Sequence, residues 1–470
     1  MSEHSEMHNE LMQQLVLKYE NLKEGKANSF LDEQEFEQLI DHFDQLEKWS
    51  DALEAAEMGA TQYPYSSAIK LRWADMLIGN RSFHQALTIL HEVELLDPQE
   101  LDLYILKTDV YLALDQPEKA LELLETVKDQ FTGESRIELL YELADVYEDY
   151  EAFDEVWNCL KLILEQDPTQ DEALYKICFW TDFTGKNEES IQLHQNIINE
   201  EPYSEVAWFN LGAAYQGLKL YEKAIDAYQY VIAIDDKFEF AYRNMGEAYI
   251  RLRRYKDAIE VLERCLEISM PEDIIYEAIG TCYEKLKQNT LARLYYRKAI
   301  HLDNSLHKVH YKIAYTYLLE KKWDMAQRVL ETCLKFDRFN PDYNLAMGEC
   351  YMQLSEIEEA IKYLAIAVRE RPRNTKMWEA YLRSLYYGEH YEEALFHLDK
   401  VQQTLGRKAI WKYISSAIQL AMGYQKEGLL TLEQALQEAP KLVKRFIMFD
   451  PALLQFKKVA NLITQYKKST

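Results

Sequence analysis

A chain of 470 residues that is 48% apolar can bury a large core, while its 14 glycines and 10 prolines are too few turn formers for a protein built of strands and hairpins. Its net charge of -27 falls almost wholly within the first 170 residues, so a polyanionic partner such as nucleic acid is repelled there and meets no strongly basic face further on. No stretch has the roughly 20 consecutive apolar residues of a membrane span, and the first ten residues are acidic without an apolar leader core; a cytoplasmic protein with no membrane partner is expected.

In chain order, Met7, Leu11, Leu15, Tyr19 and Leu22 form one apolar stripe, which predicts a helix over 7–26. From about residue 33 to residue 440 a small residue then recurs every 34 residues: Ala52, Ala86, Ala120, Val156, Ser190, Ala224, Ala258, Ala292, Ala326, Ala360, Ala394 and Gly428, with one step of 36 between Ala120 and Val156. A period of this length marks units that bury their apolar faces only by stacking on neighbours. Within one unit, Trp208, Leu211, Gly212 and Tyr215 share one helical face, and Ala224, Tyr228 and Val231 share another, with a turn over 217–221. The unit is therefore an antiparallel helix pair. Gly212, Gly246, Gly280 and Gly348 recur at one phase, each at a cost of about 1 kcal/mol relative to Ala, which predicts close helix approach there, with glycine on the first helix matching alanine on the second. The longer step, with Phe131, Thr132 and Gly133, predicts a wider and hinged junction over 131–190. At the far end Asp450 and Pro451 read as an N-cap and first helical residue, with Leu453, Phe456, Ala460, Ile463 and Tyr466 as the apolar stripe and Lys467 and Lys468 at the carboxy-terminal end.

The order of large, Leu, Gly, Tyr, Ala, aromatic and small residues at these offsets resembles the tetratricopeptide repeat (TPR). Pro64, Pro98, Pro168, Pro202, Pro372 and Pro440 close units as prolines do in that family. The resemblance implies an all-α superhelical solenoid of about twelve helix-turn-helix repeats over 33–440, with capping helices in 1–32 and 441–470. It also implies that side chains at set offsets of each first helix line a peptide-binding groove. In repeats one to four those offsets hold Glu37, Asp41, Asp44, Asp75, Asp109, Glu138, Asp145, Glu148 and Asp149, an acidic zone. From repeat five they hold Tyr175, Phe179, Phe183, Phe209, Phe240, Arg243, Arg251, Lys308, Tyr311, Tyr315, Lys376, Arg383, Tyr386 and Tyr387, the aromatic and arginine types that anchor protein interfaces. Asn210 and Asn244, with Arg243 and Lys312 nearby, match part of the carboxylate clamp by which some family members hold chaperone termini. The set is incomplete, because repeat eight offers Glu277 and Ala278.

Signals for chemistry are weak. There is no phosphate loop, HExxH or GxSxG in a strand-turn-helix setting. His301, His307 and His310 cluster, but His310 occupies a packing position; the acidic pairs Glu148 with Asp149 and Glu392 with Glu393 lie on solvated helix faces. Six cysteines without a CxxC pair, two couples of them in repeat phase, read as reduced packing thiols. The expectation is a non-enzymatic scaffold without cofactor or metal that binds a protein or peptide in its groove. The alternatives are a self-assembling or structural subunit, with a homo-oligomer as partner, and more remotely a metal-dependent hydrolase.

Overall fold

The computed structural model describes residues 2–25 and 30–468, with side chains over 11–25 and 30–466. Among the described residues the regular structure is helical throughout, and twelve antiparallel pairs follow one another in register with the sequence period. They are Glu33–Gln45 with Trp49–Gln62, Ser67–Gly79 with Phe83–Leu96, Leu101–Ala113 with Pro117–Val127, Glu134–Asp149 with Phe153–Gln166, Asp171–Thr184 with Asn187–Glu200, and Glu205–Gly217 with Tyr221–Ile234. The series continues as Glu239–Arg251 with Tyr255–Ile268, Asp273–Lys285 with Asn289–Leu302, His307–Leu319 with Trp323–Phe336, Pro341–Gln353 with Ile357–Glu370, Thr375–Tyr387 with Tyr391–Leu405, and Ala409–Ala421 with Gln425–Glu438. We number these repeats 1 to 12. The chain forms two compact units, 1–241 and 242–470, divided inside the first helix of repeat 7 while the repeat phase runs on unbroken.

Every small residue of the 34-residue series lies buried near the start of a second helix. The bend before it is equally regular. In repeat 1 the amide of Glu47 donates to Asp44 O at 2.8 Å and that of Lys48 to Phe43 O at 2.9 Å, closing the first helix through a left-handed residue. The same position is left-handed in each pair: Glu47, Arg81, Asp115, Glu151, Gly185, Lys219, Arg253, Lys287, Lys321, Ser355, Glu389 and Gly423 all have φ between 56° and 89°. Ten of these twelve carry a side chain, so local strain is accepted in exchange for a fixed turn.

Close approach at the recurring glycines is observed, but its partner is not the small residue. A Cβ at Gly212 or Gly280 would meet the ring of Tyr228 or Tyr296 at 2.5 and 2.6 Å, and one at Gly246 or Gly348 would meet Leu262 or Leu364 at 2.6 and 2.5 Å. Those side chains stand one helical turn beyond the alanine. The small residue lets the second helix come near, and the large side chain after it fills the notch that glycine leaves.

The junction of repeats 3 and 4 absorbs its two extra residues in a tied loop. Phe131 is buried edge-on against Tyr104 at 5.7 Å, Gln166 Nε2 donates to Gly133 O at 2.6 Å, and Arg136 bridges Gln166 and Asp129. These anchors oppose the hinge expected from length alone.

At the amino terminus the helix Ser2–Lys23 packs on repeat 1 through Met12, Leu15 and Tyr19, with Lys18 on Glu35 at 2.6 Å. Leu11 of the expected stripe points outward, because the buried register begins at Met12; the side chain of Met7 lies outside the described residues. At the carboxy terminus one helix was expected and four short elements occur: Pro440–Leu442, Val443–Phe449, Pro451–Gln455 and Lys457–Lys468. Asp450 does cap, accepting from Ala452 N at 2.9 Å, but the turn it starts is 3-10 and breaks at Phe456. Val459 and Ile463 then bury the last helix, while Phe456 is exposed; the side chains of Lys467 and Lys468 lie outside the described residues.

Candidate functional site

Successive first helices touch one another in repeats 1 to 4 and again in repeats 5 and 6, so residues at one phase of those helices come into line along a single face of the first unit. At one such phase stand Asp41, Asp75, Asp109 and Asp145, all exposed. Their proximity is visible electrostatically. The Asp75 carboxyl is held above the usual range first by partial burial and then by Asp44, Asp109, Asp102 and Asp41. Burial raises Asp109 as well, and Glu142 is raised by burial and by Asp109, Asp145 and Glu138. Thus the acidic zone expected from sequence is a run of neighbouring carboxyls across repeats 1 to 4, to which the structure adds Glu100, Asp102 and Glu142.

Cations reach both ends of this ladder, Arg72 at Asp41 and Lys176 at Asp145. Arg72 reaches across to Asp41 at 2.8 and 3.2 Å and to Glu37 at 3.3 Å, and its guanidinium is held more basic by the Asp41 bond. Asp75 and Asp109 make no ion pair among the described residues. Beside them opens a cleft of about 370 Å³ between repeats 1, 2 and 3, lined by Asp41, Leu71, Arg72, Asp75, Asp102 and Ile105 among others. Of the other predicted acids, Asp44, Glu138, Glu148 and Asp149 are exposed and Glu37 is half-buried.

In repeat 5 the same face changes character within one step. Phe179 takes the phase of the four aspartates, and Tyr175, Phe179 and Phe183, four residues apart on one helix, are 61%, 62% and 59% exposed. Phe183 is supported edge-on by Phe153 at 4.8 Å, and Phe179 by Trp180 at 4.9 Å. Phe209 continues the stripe into repeat 6, half-buried against Phe238 at 5.3 Å and Phe240 at 6.5 Å, with Phe240 itself 49% exposed. Lys176 sits at the boundary, 2.7 Å from Glu172 and 3.5 Å from Asp145.

Asn210 is placed otherwise than the clamp pattern implies. It is 2% exposed, and its amide donates to Leu174 O at 2.7 Å while facing His194 Nε2 at 3.1 Å. His194 is fully enclosed and burial lowers it to about 4, so this neutral pair ties repeats 5 and 6 together. The sequence could have flagged His194, whose phase is occupied elsewhere by Tyr228, Leu262 and Tyr296.

In the second unit the predicted residues are mostly engaged. Arg243 pairs with Glu272, Asn244 lies one residue on in the same helix, and Arg251 binds Glu247 at 2.9 Å. Lys312 spans Glu277 at 2.7 Å and Thr281 at 3.0 Å over the Tyr296 ring. Tyr311 packs on Tyr343 at 4.9 Å, whereas Tyr315 is 43% exposed and Lys308 and Lys376 face solvent. Arg383 is half-buried, Tyr387 is partly exposed and Tyr386 is 7% exposed, against Phe449 and Asp450.

Among the described residues no group of three His, Cys, Asp or Glu is placed to hold a metal ion. His307 Nδ1 meets the Tyr343 hydroxyl at 2.9 Å and His310 packs on Phe336 at 6.0 Å. All six cysteines are free thiols; burial pushes Cys159, Cys282, Cys333 and Cys350 up to about 12 and Cys178 to about 11. No helix among the described residues is long and apolar enough to cross a membrane.

Comparison with known proteins agrees with the helix pairs. Residues 77–140 match the family model for the tetratricopeptide repeat, and residues 184–350 match that for the tetratricopeptide repeat protein 21 C-terminal ARM domain. No curated protein matches the chain. Similar solved structures include YrrB, a TPR protein with an unusual peptide-binding site (20% identity over 42% of this chain and 97% of that one, TM-score 0.36). They also include MamA (20% over 35% and 97%, TM-score 0.34) and the APC/C hetero-tetramer Cut9-Hcn1 (14% over 87% and 95%, TM-score 0.35). With their 34-residue phase, their common turn and these two family matches, the hairpins of this chain are tetratricopeptide-type repeats.

Proposed function

We propose that the chain is a binding scaffold that holds a segment of a partner protein, without chemistry of its own, on the face formed by the first helices of repeats 1 to 6. Its repeats are of a kind consistent with protein-protein interaction. The observation that carries the reading is the aspartate ladder Asp41, Asp75, Asp109 and Asp145 running at one phase into the exposed rings of Tyr175, Phe179 and Phe183. Carboxylates in register, of which Asp75 and Asp109 make no ion pair among the described residues, attract cations, and large exposed rings attract an apolar anchor, so the fitting ligand is basic along one part and aromatic or aliphatic at the other.

Adjacent packed helices stand about 9 Å apart, so four rungs span about 27 Å. An extended chain rising about 3.3 Å per residue covers that in about eight residues, which calls for Lys or Arg at every third position. The test is fluorescence anisotropy with a synthetic peptide of that pattern ending in two phenylalanines. D75K with D109K should weaken binding at least tenfold in 50 mM salt and much less in 500 mM salt. Equal affinity of wild type and variant at low salt would refute the assignment.

A further inference from the structure

The docking face of repeats 11 and 12 is already covered, and the cover is the chain's own tail. After the second helix of repeat 12 the chain turns back, and Val443–Phe449 packs against the first helix of repeat 12, Ala409–Ala421. Val443, Phe446 and Phe449 form its inward side, all 7% exposed or less, while Lys444, Arg445 and Met448 face out. Phe446 meets Tyr413 at 5.8 Å and Phe449 meets Tyr386 at 5.1 Å. Polar contacts reach past repeat 12 to repeat 11: Arg445 pairs with Glu379, Tyr386 Oη donates to Asp450 Oδ2 at 2.7 Å, and Tyr387 Oη donates to Phe449 O at 3.1 Å.

The contacted residues occupy the phases that form the open face of the first unit. Glu379 and Tyr413 share the phase of Tyr175, Tyr386 that of Asp44 and Glu148, and Tyr387 that of Asp149 and Phe183. Tyr386 is covered, beside Tyr391 of its own repeat at 5.8 Å, by a ligand-like segment whose Asp450 lies 64 residues further along the chain. Phe446 and Phe449 act as the aromatic anchors in the apolar part, and the Arg445 and Asp450 contacts set the register along it.

We propose that residues 440–456 are a ligand bound in cis, and that the face of repeats 11 and 12 is a docking site for a short helix carrying an arginine, aromatic residues one and four positions later, and a carboxylate at the fifth. The site is closed while the segment is seated and accepts the same segment from solution when the seat is weakened. The contacts all lie within the second unit, and only the phase correspondence rests on the function proposed for the first; peptide uptake by the second unit is tested without the first-unit ligand.

The experiment compares full-length wild type with F446A, using a fluorescent peptide of residues 440–456 at increasing concentration. F446A should bind the peptide at least tenfold more tightly than wild type, because the peptide restores the missing ring, and adding E379A should reduce that gain. A segment that is only a structural cap predicts a less stable F446A that takes up no peptide. If circular dichroism shows F446A unfolded, R445A with Y386F, which removes polar contacts and leaves the aromatic anchors, takes its place. Equal binding by wild type and the folded variant, or binding by neither, overturns the proposal.

Discussion

Replacing Asp75 by Asn should make the protein more stable. Asp75 has Asp41 and Asp109 at its own phase on the adjoining helices, Asp44 and Asp102 near them, and no ion-pair partner among the described residues. Two unit charges about 9 Å apart repel by about 0.5 kcal/mol even at the dielectric of water. Several such neighbours at low salt, discounted for solvent screening, leave about 0.5–1 kcal/mol for Asn to relieve without changing shape. In a unit of this size that corresponds to about 1–4 °C in Tm. Thermal unfolding in 10 mM buffer, followed by circular dichroism, should show the rise, and 0.5 M salt should remove most of it.

Lowering the pH should act in the same direction as the substitution. The carboxyls of Asp75, Asp109 and Glu142 have their folded-state pKa raised, so ionisation penalises the folded state, and the penalty is relieved as the pH falls through the folded value. The gain from D75N should accordingly shrink as the pH falls through the folded value of Asp75. A Tm that is unchanged or lower in D75N at neutral pH and low salt would show that the ladder does not repel itself, and the argument that these acids await a cationic ligand would lose its footing.

Other outcomes follow from packing. G280A places a Cβ 2.6 Å from two ring carbons of the fully buried Tyr296, whose hydroxyl is held by Glu284 at 2.9 Å, and should cost about 1–3 kcal/mol in denaturant unfolding; a neutral result would mean the ring moves freely. S355G relieves a side chain held at φ 64° and should stabilise by up to about 1 kcal/mol, as a rise in Tm. Cys159, Cys282, Cys333 and Cys350 should resist alkylation at pH 8 until denaturant is added, and fast labelling of the native protein would contradict their burial.

What sequence made legible is what repeats. The small residue, the glycine and the turn each return at one phase because each unit makes the same contact with its neighbour, and a contact made many times writes itself into the sequence. The aspartate ladder was legible because it, too, returns at one phase. Phe179 at the ladder's phase marks where the face turns aromatic. Contacts made once leave no such trace. Asn210 has the letter of a groove residue in the family pattern, but its amide is spent inside, on Leu174 O and facing His194, whose phase holds Tyr or Leu in the repeats that follow. Tyr386 has the composition of an exposed anchor, and only the returning tail shows it to be covered. At the amino terminus Leu11 and Met12 are both apolar and differ by 100° of helix, and only the packing on repeat 1 selects Met12 as the buried one.

Position-resolved photo-cross-linking tests the first-unit docking face most directly. Two versions of the basic, phenylalanine-ended peptide would carry a photoreactive group, one at the aromatic end and one at the basic end. The account predicts that the aromatic end cross-links within 175–183 and the basic end within 37–75, on first helices only. Cross-links on second helices, or at both ends without preference between the two zones, would contradict it.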